Sequence, residues 1–294
     1  MKTDAPVGLI GLGLIGTALA ERLTGAGIDV IGFDVDPGRC DAFKNTHRKV
    51  AASASDLARQ SQSVVIAVYD GAQVDAVLGD LEDKPARPTI ICTTTCAPGE
   101  IKRIATRAAG AGFAFIEAPI SGTSAEVMDG TATLLVAGEP NSIKMVHALL
   151  EVLCPRRTHV GKVGDASRTK LAINLILQNN RAALAEGIVL AERLGLDGRT
   201  FLEAARNSAA YSRVMDTKGE KMLSRDFRPH SHIAQTLKDA ELILYEARQC
   251  ALHLAITEAQ ADLLRAAIAL EGPDSDSAAV IEAVRQQASP GIVP

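Results

Sequence analysis

The stretch GLGLIG at residues 11–16 constrains this chain more than any other. Its form, G-x-G-x-x-G, is weak by itself, because a chain with 24 glycines meets that spacing by chance. Its neighbours make it informative. PVGLIG (6–11) is a short apolar run of the kind that becomes a strand buried on both faces. After the last glycine, Ile15, Leu19, Ala20 and Leu23 recur at helical spacing. In such a strand–turn–helix, Gly11 permits the tight turn, Gly13 lets a pyrophosphate approach the backbone, and Gly16 lets the helix pack close to the sheet. Leu14 and Ile15 open the helix, whose first N–H groups are anion donors. A second apolar run, DVIGFD (29–34), closes on Asp34, 23 residues after Gly11. A carboxylate there accepts from the adenosine ribose hydroxyls and repels a 2′-phosphate. Val35 follows, with no arginine until Arg39, so NAD is the expected cofactor and NADP the less favoured one. Two alternatives stay open: Arg39 can swing inward, and Asp34 can serve only to cap the turn that follows it.

Further strand-like runs are VVIAV (64–68), TIICT (89–93), FAFIE (113–117) and ATLLVAG (132–138), with helical patterns between most of them. PGEIKRIATRAAG (98–110) begins with a proline suited to a first helical turn. Strands alternating with helices imply a mostly parallel sheet covered on both faces, an α/β class. After ATLLVAGE the strand pattern stops. From Asp165 to about Leu194 the chain is apolar at helical spacing, nearly all round in its first part, so burial between domains or subunits is expected there. Gly195 ends it. Further helices are expected at 198–207, 212–224, 232–250, 253–270 and 275–288. This gives two domains, a dinucleotide-binding domain at 1–163 and an all-α domain at 164–294.

Composition narrows the function classes. The net charge is −4, no dense basic run occurs, tryptophan is absent and aromatics make up 3%, which disfavours nucleic acid as a partner. The five cysteines are scattered and never spaced as C-x-x-C, arguing against a disulfide framework or a zinc cluster. No apolar run reaches the length that crosses a bilayer, and the N-terminus lacks a secretory pattern. No membrane and a cytoplasmic location are the expectations.

Five blocks, in order, resemble the β-hydroxyacid dehydrogenases, the family of 3-hydroxyisobutyrate dehydrogenase, tartronate semialdehyde reductase and the 6-phosphogluconate dehydrogenases. They are GLIGLGLIGTALAERLTGAG (8–27), TTTCAP (93–98), EAPISGTSAEVMDGT (117–131), GKVGDASRTKLAIN (161–174) and LKDAEL (237–242). The resemblance implies a Rossmann-like dinucleotide-binding domain followed by an all-α domain that drives assembly, at least to a homodimer and as far as a homotetramer. It implies Lys170 as the catalytic lysine and Asn174 as a substrate-orienting amide. Ser121 and Gly122 would hold the substrate carboxylate, Thr95 would lie beside the nicotinamide ribose, and Lys238 would approach the cofactor. The expected partner is a small-molecule hydroxy acid or its semialdehyde.

The substrate loop departs from the family pattern. Thr123 stands where a second glycine is usual, and it either reads a polar substrate group or caps a turn. Glu126 stands where another glycine is usual and is expected in solvent. Glu117 replaces an aspartate.

The chemistry suits these residue types. Exchanging a hydride between an alcohol carbon and nicotinamide requires a group that takes or gives the hydroxyl proton. A lysine ammonium donates to a carbonyl oxygen as charge develops there, and burial eases its use as a base by lowering its ordinary pKa of about 10.4. Lys170 and Asn174 are four apart and so share a helix face. The amide offers a donor and an acceptor without titrating. Two alternatives stand beside this reading. One is imine reduction on the same architecture, which Lys170 disfavours; the other is a non-catalytic dinucleotide-binding scaffold. His230 and His232 form an H-x-H without a third ligand, so no metal is expected. Cys92 and Cys96 are read as packing residues, and Tyr69 and Asp70 as either a turn or a ligand contact.

Overall fold

Alternation of buried side chains along β-strands explains the first half of the chain. The computed structural model describes residues 5–46, 48–82 and 86–287. Strands β1 (Val7–Ile10), β2 (Val30–Phe33), β3 (Lys49–Val50), β4 (Ser63–Ile66), β5 (Thr89–Cys92) and β6 (Phe115–Glu117) pair in parallel in the order β3-β2-β1-β4-β5-β6. β7 (Ile120–Ser121) and β8 (Thr133–Gly138) follow. β6 and β7 both run antiparallel to β8, and β9 (Arg156–Gly161) lies parallel to it. The strands read as continuous apolar runs because both faces are covered. Leu9, Val65, Ile91 and Ile116 point to the face carrying Leu19, Leu23 and Leu134. Ile10, Val64, Ile66 and Ile90 point to the other, against Leu57, Leu78 and Ile104. Each such fully buried side chain stabilises the sheet by about 1.5–3 kcal/mol.

Strand β9 corrects the expectation that strands end with ATLLVAGE. Its side chains are mostly exposed or half-buried, so RRTHVG shows no hydrophobic period. Its pairing with β8 comes from the backbone rather than from side-chain burial. The short helices Ser124–Met128, Pro140–Met145 and His147–Leu153 around β8 lie outside the sequence reading as well.

The second half is helical. The long helix spans Asp165–Arg193, and Gly195 follows with φ +79°, a left-handed value that suits glycine at a helix end. The remaining helices are Gly198–Arg206, Arg213–Ser224, Ile233–Gln249, Ala255–Glu271 and Val280–Gln287, the last preceded by a 3-10 turn over Ser277–Ala279. The end expected at 288 lies outside the described residues. The long helix is not covered all round within this chain, for Ile176 and Leu190 are each about 60% exposed. Its inward face joins a core that includes Leu184, Ile188, Leu202, Met222, Leu244 and Leu264. The chain divides into two compact units, the first ending at Lys170 and the second beginning at Leu171. Among the described residues no helix is long and apolar enough to cross a membrane.

Candidate active site

The fingerprint glycines do three different jobs. Gly11 has φ +95°, and a Cβ there would lie 2.4 Å from the Ala67 carbonyl oxygen. At Gly16 a Cβ would lie 1.9 Å from the Gly11 oxygen, so the helix can approach β1 only without a side chain. Gly13 is different: it is the N-cap of the helix Leu14–Gly25, its surroundings are open, and no side chain caps that terminus. Leu14 and Ile15, both half-buried, form the first turn. An uncapped helix start beside an open backbone is a cradle for an anionic group.

Asp34 ends β2 and is buried. Its Oδ2 accepts from the Leu12 N–H at 2.7 Å and its Oδ1 from the Asp36 N–H at 2.9 Å. The carboxylate therefore ties the fingerprint loop to the turn after β2, with lone pairs still available for ribose hydroxyls. Arg39 Nη1 lies 3.5 Å from Asp34 Oδ2, and Arg39 Nε lies 3.6 Å from Asp36. These residues fit the adenosine half of a dinucleotide, while Arg39 stands where a 2′-phosphate would also find a partner.

The threonines after β5 are arranged by β4. Thr93 donates to the Ile66 carbonyl at 3.0 Å, and Thr94 donates to the Val68 carbonyl at 3.1 Å while accepting the Val68 N–H at 3.2 Å. Thr95, buried, follows this locked pair. Cys92 and Cys96 are buried in the core, neither of them in a disulfide. Asp70 accepts the Gln73 N–H at 2.9 Å, which serves the start of the helix Gly71–Glu82.

Ser121 ends β7, paired with Thr133 of β8. Gly122 takes φ +148°, and a Cβ there would meet Ala132 Cβ at 2.9 Å. Thr123 and Glu126, the two departures in this loop, form one device. Thr123 Oγ1 accepts the Glu126 N–H at 3.3 Å, and Glu126 Oε2 accepts the Thr123 N–H at 2.8 Å, a capping box on the helix Ser124–Met128. Of the two readings of Thr123, the hydroxyl takes the capping one. Glu126 corrects the expectation of a solvated carboxylate, because it is half-buried and folds back onto the loop.

Glu117, fully buried at the end of β6, was a substitution without a role in the sequence. Its carboxylate accepts the Gly164 N–H at 2.6 Å, the Ser167 N–H at 2.6 Å and the Ser167 hydroxyl at 2.5 Å. It thereby pins the first turn of the long helix to the sheet, four residues before Ser121 in the chain and one turn before Lys170. Burial pushes its pKa up, with the three donated hydrogen bonds opposing. The signal available in sequence was an acid closing an apolar run, as at Asp34.

Lys170 is buried on the same helix face as Ser167 and Asn174. Asn174, also buried, donates from Nδ2 to Asp239 Oδ2 at 2.9 Å, and Lys238 Nζ lies 3.2 Å from Asp239 Oδ1. Asp239 thus brings Asn174 and Lys238 together, a link that sequence reasoning did not see. Because a carboxylate only accepts, the Asn174 nitrogen must face it, and the amide oxygen, which has no partner, faces the other way. His232 is the N-cap residue of the helix Ile233–Gln249, and among the described residues no group of three or more His, Cys, Asp or Glu could hold a metal.

Fold and fingerprint define a two-part pyridine-nucleotide-binding protein: a parallel-rich, Rossmann-like α/β domain followed by a helical one. Residues 6–161 match the family model of the NAD binding domain of 6-phosphogluconate dehydrogenase. Residues 164–284 match the model described as NAD-binding of NADP-dependent 3-hydroxyisobutyrate dehydrogenase. The chain belongs to the β-hydroxyacid dehydrogenase family. It is 30% identical to 2-hydroxy-3-oxopropionate reductase of Escherichia coli, over 96% of this chain and 98% of that protein. It is 27% identical to L-threonate dehydrogenase of Haemophilus influenzae, over 93% of each. Among solved structures, 3-hydroxyisobutyrate dehydrogenase from Salmonella typhimurium superposes with a TM-score of 0.86 at 24% identity, covering 95% of this chain and 99% of that one, a likeness of fold.

Proposed function

We propose that this protein exchanges a hydride between NAD(H) and a small β-hydroxy acid or its semialdehyde, with Lys170 as the proton donor and acceptor. The observation that carries the proposal is the pairing on one helix face of a buried lysine and an asparagine whose amide oxygen is left without a partner. A nicotinamide, when bound, supplies the hydride carrier. In the reductive direction the Lys170 ammonium donates a proton to the carbonyl oxygen as negative charge develops on it. In the oxidative direction the neutral amine takes the hydroxyl proton. Asn174 Oδ1 accepts from the hydroxyl and fixes its orientation, while Asp239 holds the amide nitrogen so that the oxygen cannot turn away. The Ser121 hydroxyl and the Gly122 N–H bind the substrate carboxylate, and the φ of Gly122 presents that N–H with no side chain over it. Glu117 positions Lys170 by fixing where its helix begins.

Asp34 favours NAD, since its carboxylate repels a 2′-phosphate; Arg39 beside it works in the opposite sense. Gly11, Gly13, Gly16 and Thr95 complete the proposed cofactor contacts, with Lys238 as a further one. The active form is a homodimer or homotetramer. A panel of hydroxy acids and semialdehydes, each followed by NADH and NADPH absorbance, tests the reading. Turnover of at least one β-hydroxy acid is expected, and no turnover with either nucleotide across the panel would refute it.

A further inference from the structure

The long helix carries a polar track beyond the residues assigned above. Lys170, Asn174, Gln178 and Arg181 fall within about 80° of helical arc, and each is at most 6% exposed. Gln178 repeats the arrangement of Asn174. Its Nε2 donates to the Thr236 carbonyl at 3.2 Å, and its Oε1 has no partner. A carbonyl only accepts, so the orientation of this amide is fixed too. At the end of the track, Arg181 Nε and Nη1 are buried with no hydrogen-bond partner at all.

The nearby acid Asp276 attracts that guanidinium through space but gives its Nε and Nη1 no hydrogen bond. Asp276 already receives Lys218 Nζ at 2.6 and 2.9 Å. It also accepts the backbone N–H groups of His230 at 2.8 Å, Ser231 at 3.3 Å and Ala278 at 2.9 Å. Five donor contacts exhaust a carboxylate with about four lone-pair sites. Two cations and one anion therefore share this interior, leaving a net positive charge. Burial lowers the Arg181 pKa to about 10, which still leaves it a cation at neutral pH. An uncompensated buried charge costs several kcal/mol unless something pairs with it.

We propose that Arg181 is a specificity-determining residue that takes a second anionic group at the far end of the substrate, and that Gln178 Oε1 accepts a hydroxyl carried between the two ends. The preferred substrates are then β-hydroxy acids with a distal carboxylate, phosphate or phosphonate. Seven residues separate Asn174 from Arg181, about 10 Å of rise. Long side chains on a helix lean toward its N-terminus, so the proposed substrate carries its distal anion two or three carbons from the reacting hydroxyl. This inference rests on the dehydrogenase reading.

The test compares 3-hydroxyglutarate with 3-hydroxypentanoate, which differ by a terminal carboxylate in place of a methyl. In the wild type kcat/KM should favour the dianion by about 100-fold, and Arg181→Met should remove that preference while changing 3-hydroxypentanoate by less than about threefold. Arg181→Lys should restore part of it. Equal losses on both substrates, or no preference in the wild type, would overturn the assignment. A variant-free arm measures the melting temperature of the wild type with glutarate or pentanoate added. Glutarate should raise it and pentanoate should not, and equal shifts would also overturn the proposal. If the wild type oxidises neither acid, the melting comparison alone judges the anion site, and the dehydrogenase reading is judged separately by the full panel of hydroxy acids and semialdehydes.

Discussion

Replacing Glu117 by Gln tests how the long helix Asp165–Arg193 is held. The substitution keeps shape but exchanges one acceptor oxygen for a donor nitrogen. In its best orientation the amide oxygen retains the two Ser167 donors, and the nitrogen then faces the Gly164 N–H, which sits 2.6 Å from the native carboxylate. Losing one hydrogen bond to a charged group and leaving a buried N–H unpaired costs about 1.5–3 kcal/mol. The two remaining bonds weaken as their acceptor becomes neutral, and relief of the buried charge offsets part of this. A net loss of about 2–3 kcal/mol corresponds to roughly 4–12 °C in Tm for a unit of this size. The sign of the pH dependence is fixed by the raised Glu117 pKa. The folded protein holds this proton to higher pH than the unfolded chain does, so Glu117 contributes most stability below the ordinary glutamate value. That contribution declines as pH rises toward the raised folded value, then stays constant. Scanning calorimetry across pH 4–8 should show the gap between wild type and Glu117→Gln narrowing over that window. The kcat of the variant should fall by about 10- to 100-fold through misplacement of Lys170, with nucleotide affinity unchanged. A Tm change below about 2 °C, or a gap that widens with rising pH, would refute the reasoning.

Gly16→Ala places a Cβ against the Gly11 oxygen, and overpacking of this kind costs about 1–3 kcal/mol; calorimetric titration should also show weakened NADH binding. Asp34→Ala should narrow the ratio of kcat/KM for NAD over NADP, and a wild type that already prefers NADP would contradict the cofactor assignment. Thr123→Ala removes an N-cap and should lower stability by about 1 kcal/mol in urea unfolding, with KM for the hydroxy acid unchanged; a large KM change would restore the hydroxyl as a substrate contact. Lys218→Met breaks the buried pair with Asp276 and should cost about 3–5 kcal/mol in the same assay.

The features legible in the sequence were those with a local period or a forced geometry. The β1 to β2 segment was readable because buried strands, glycine turn and closing acid fall within one short stretch, and each residue has a separate steric or electrostatic duty. The helices of the second half were readable from apolar spacing, although the long helix is exposed along Ile176 and Leu190 in this chain. β9 was not, because an edge strand held by backbone bonds to β8 carries no hydrophobic alternation. The roles of Glu117 and Asp239 were hidden for another reason. Each works through partners 47 to 65 residues away, a relation fixed by tertiary packing and invisible to spacing. Thr123 and Glu126 lay within reach, since a threonine followed three residues later by a glutamate is the capping-box pattern. Read separately, as two lost glycines, they suggested an altered substrate.

The most direct measurement is hydroxy-acid-dependent NADH formation by Lys170→Met, paired with a calorimetric titration of NADH into the same variant. Turnover should fall by at least about 1,000-fold while nucleotide affinity stays within about threefold of wild type. A variant that turns over at near wild-type rates would contradict the account.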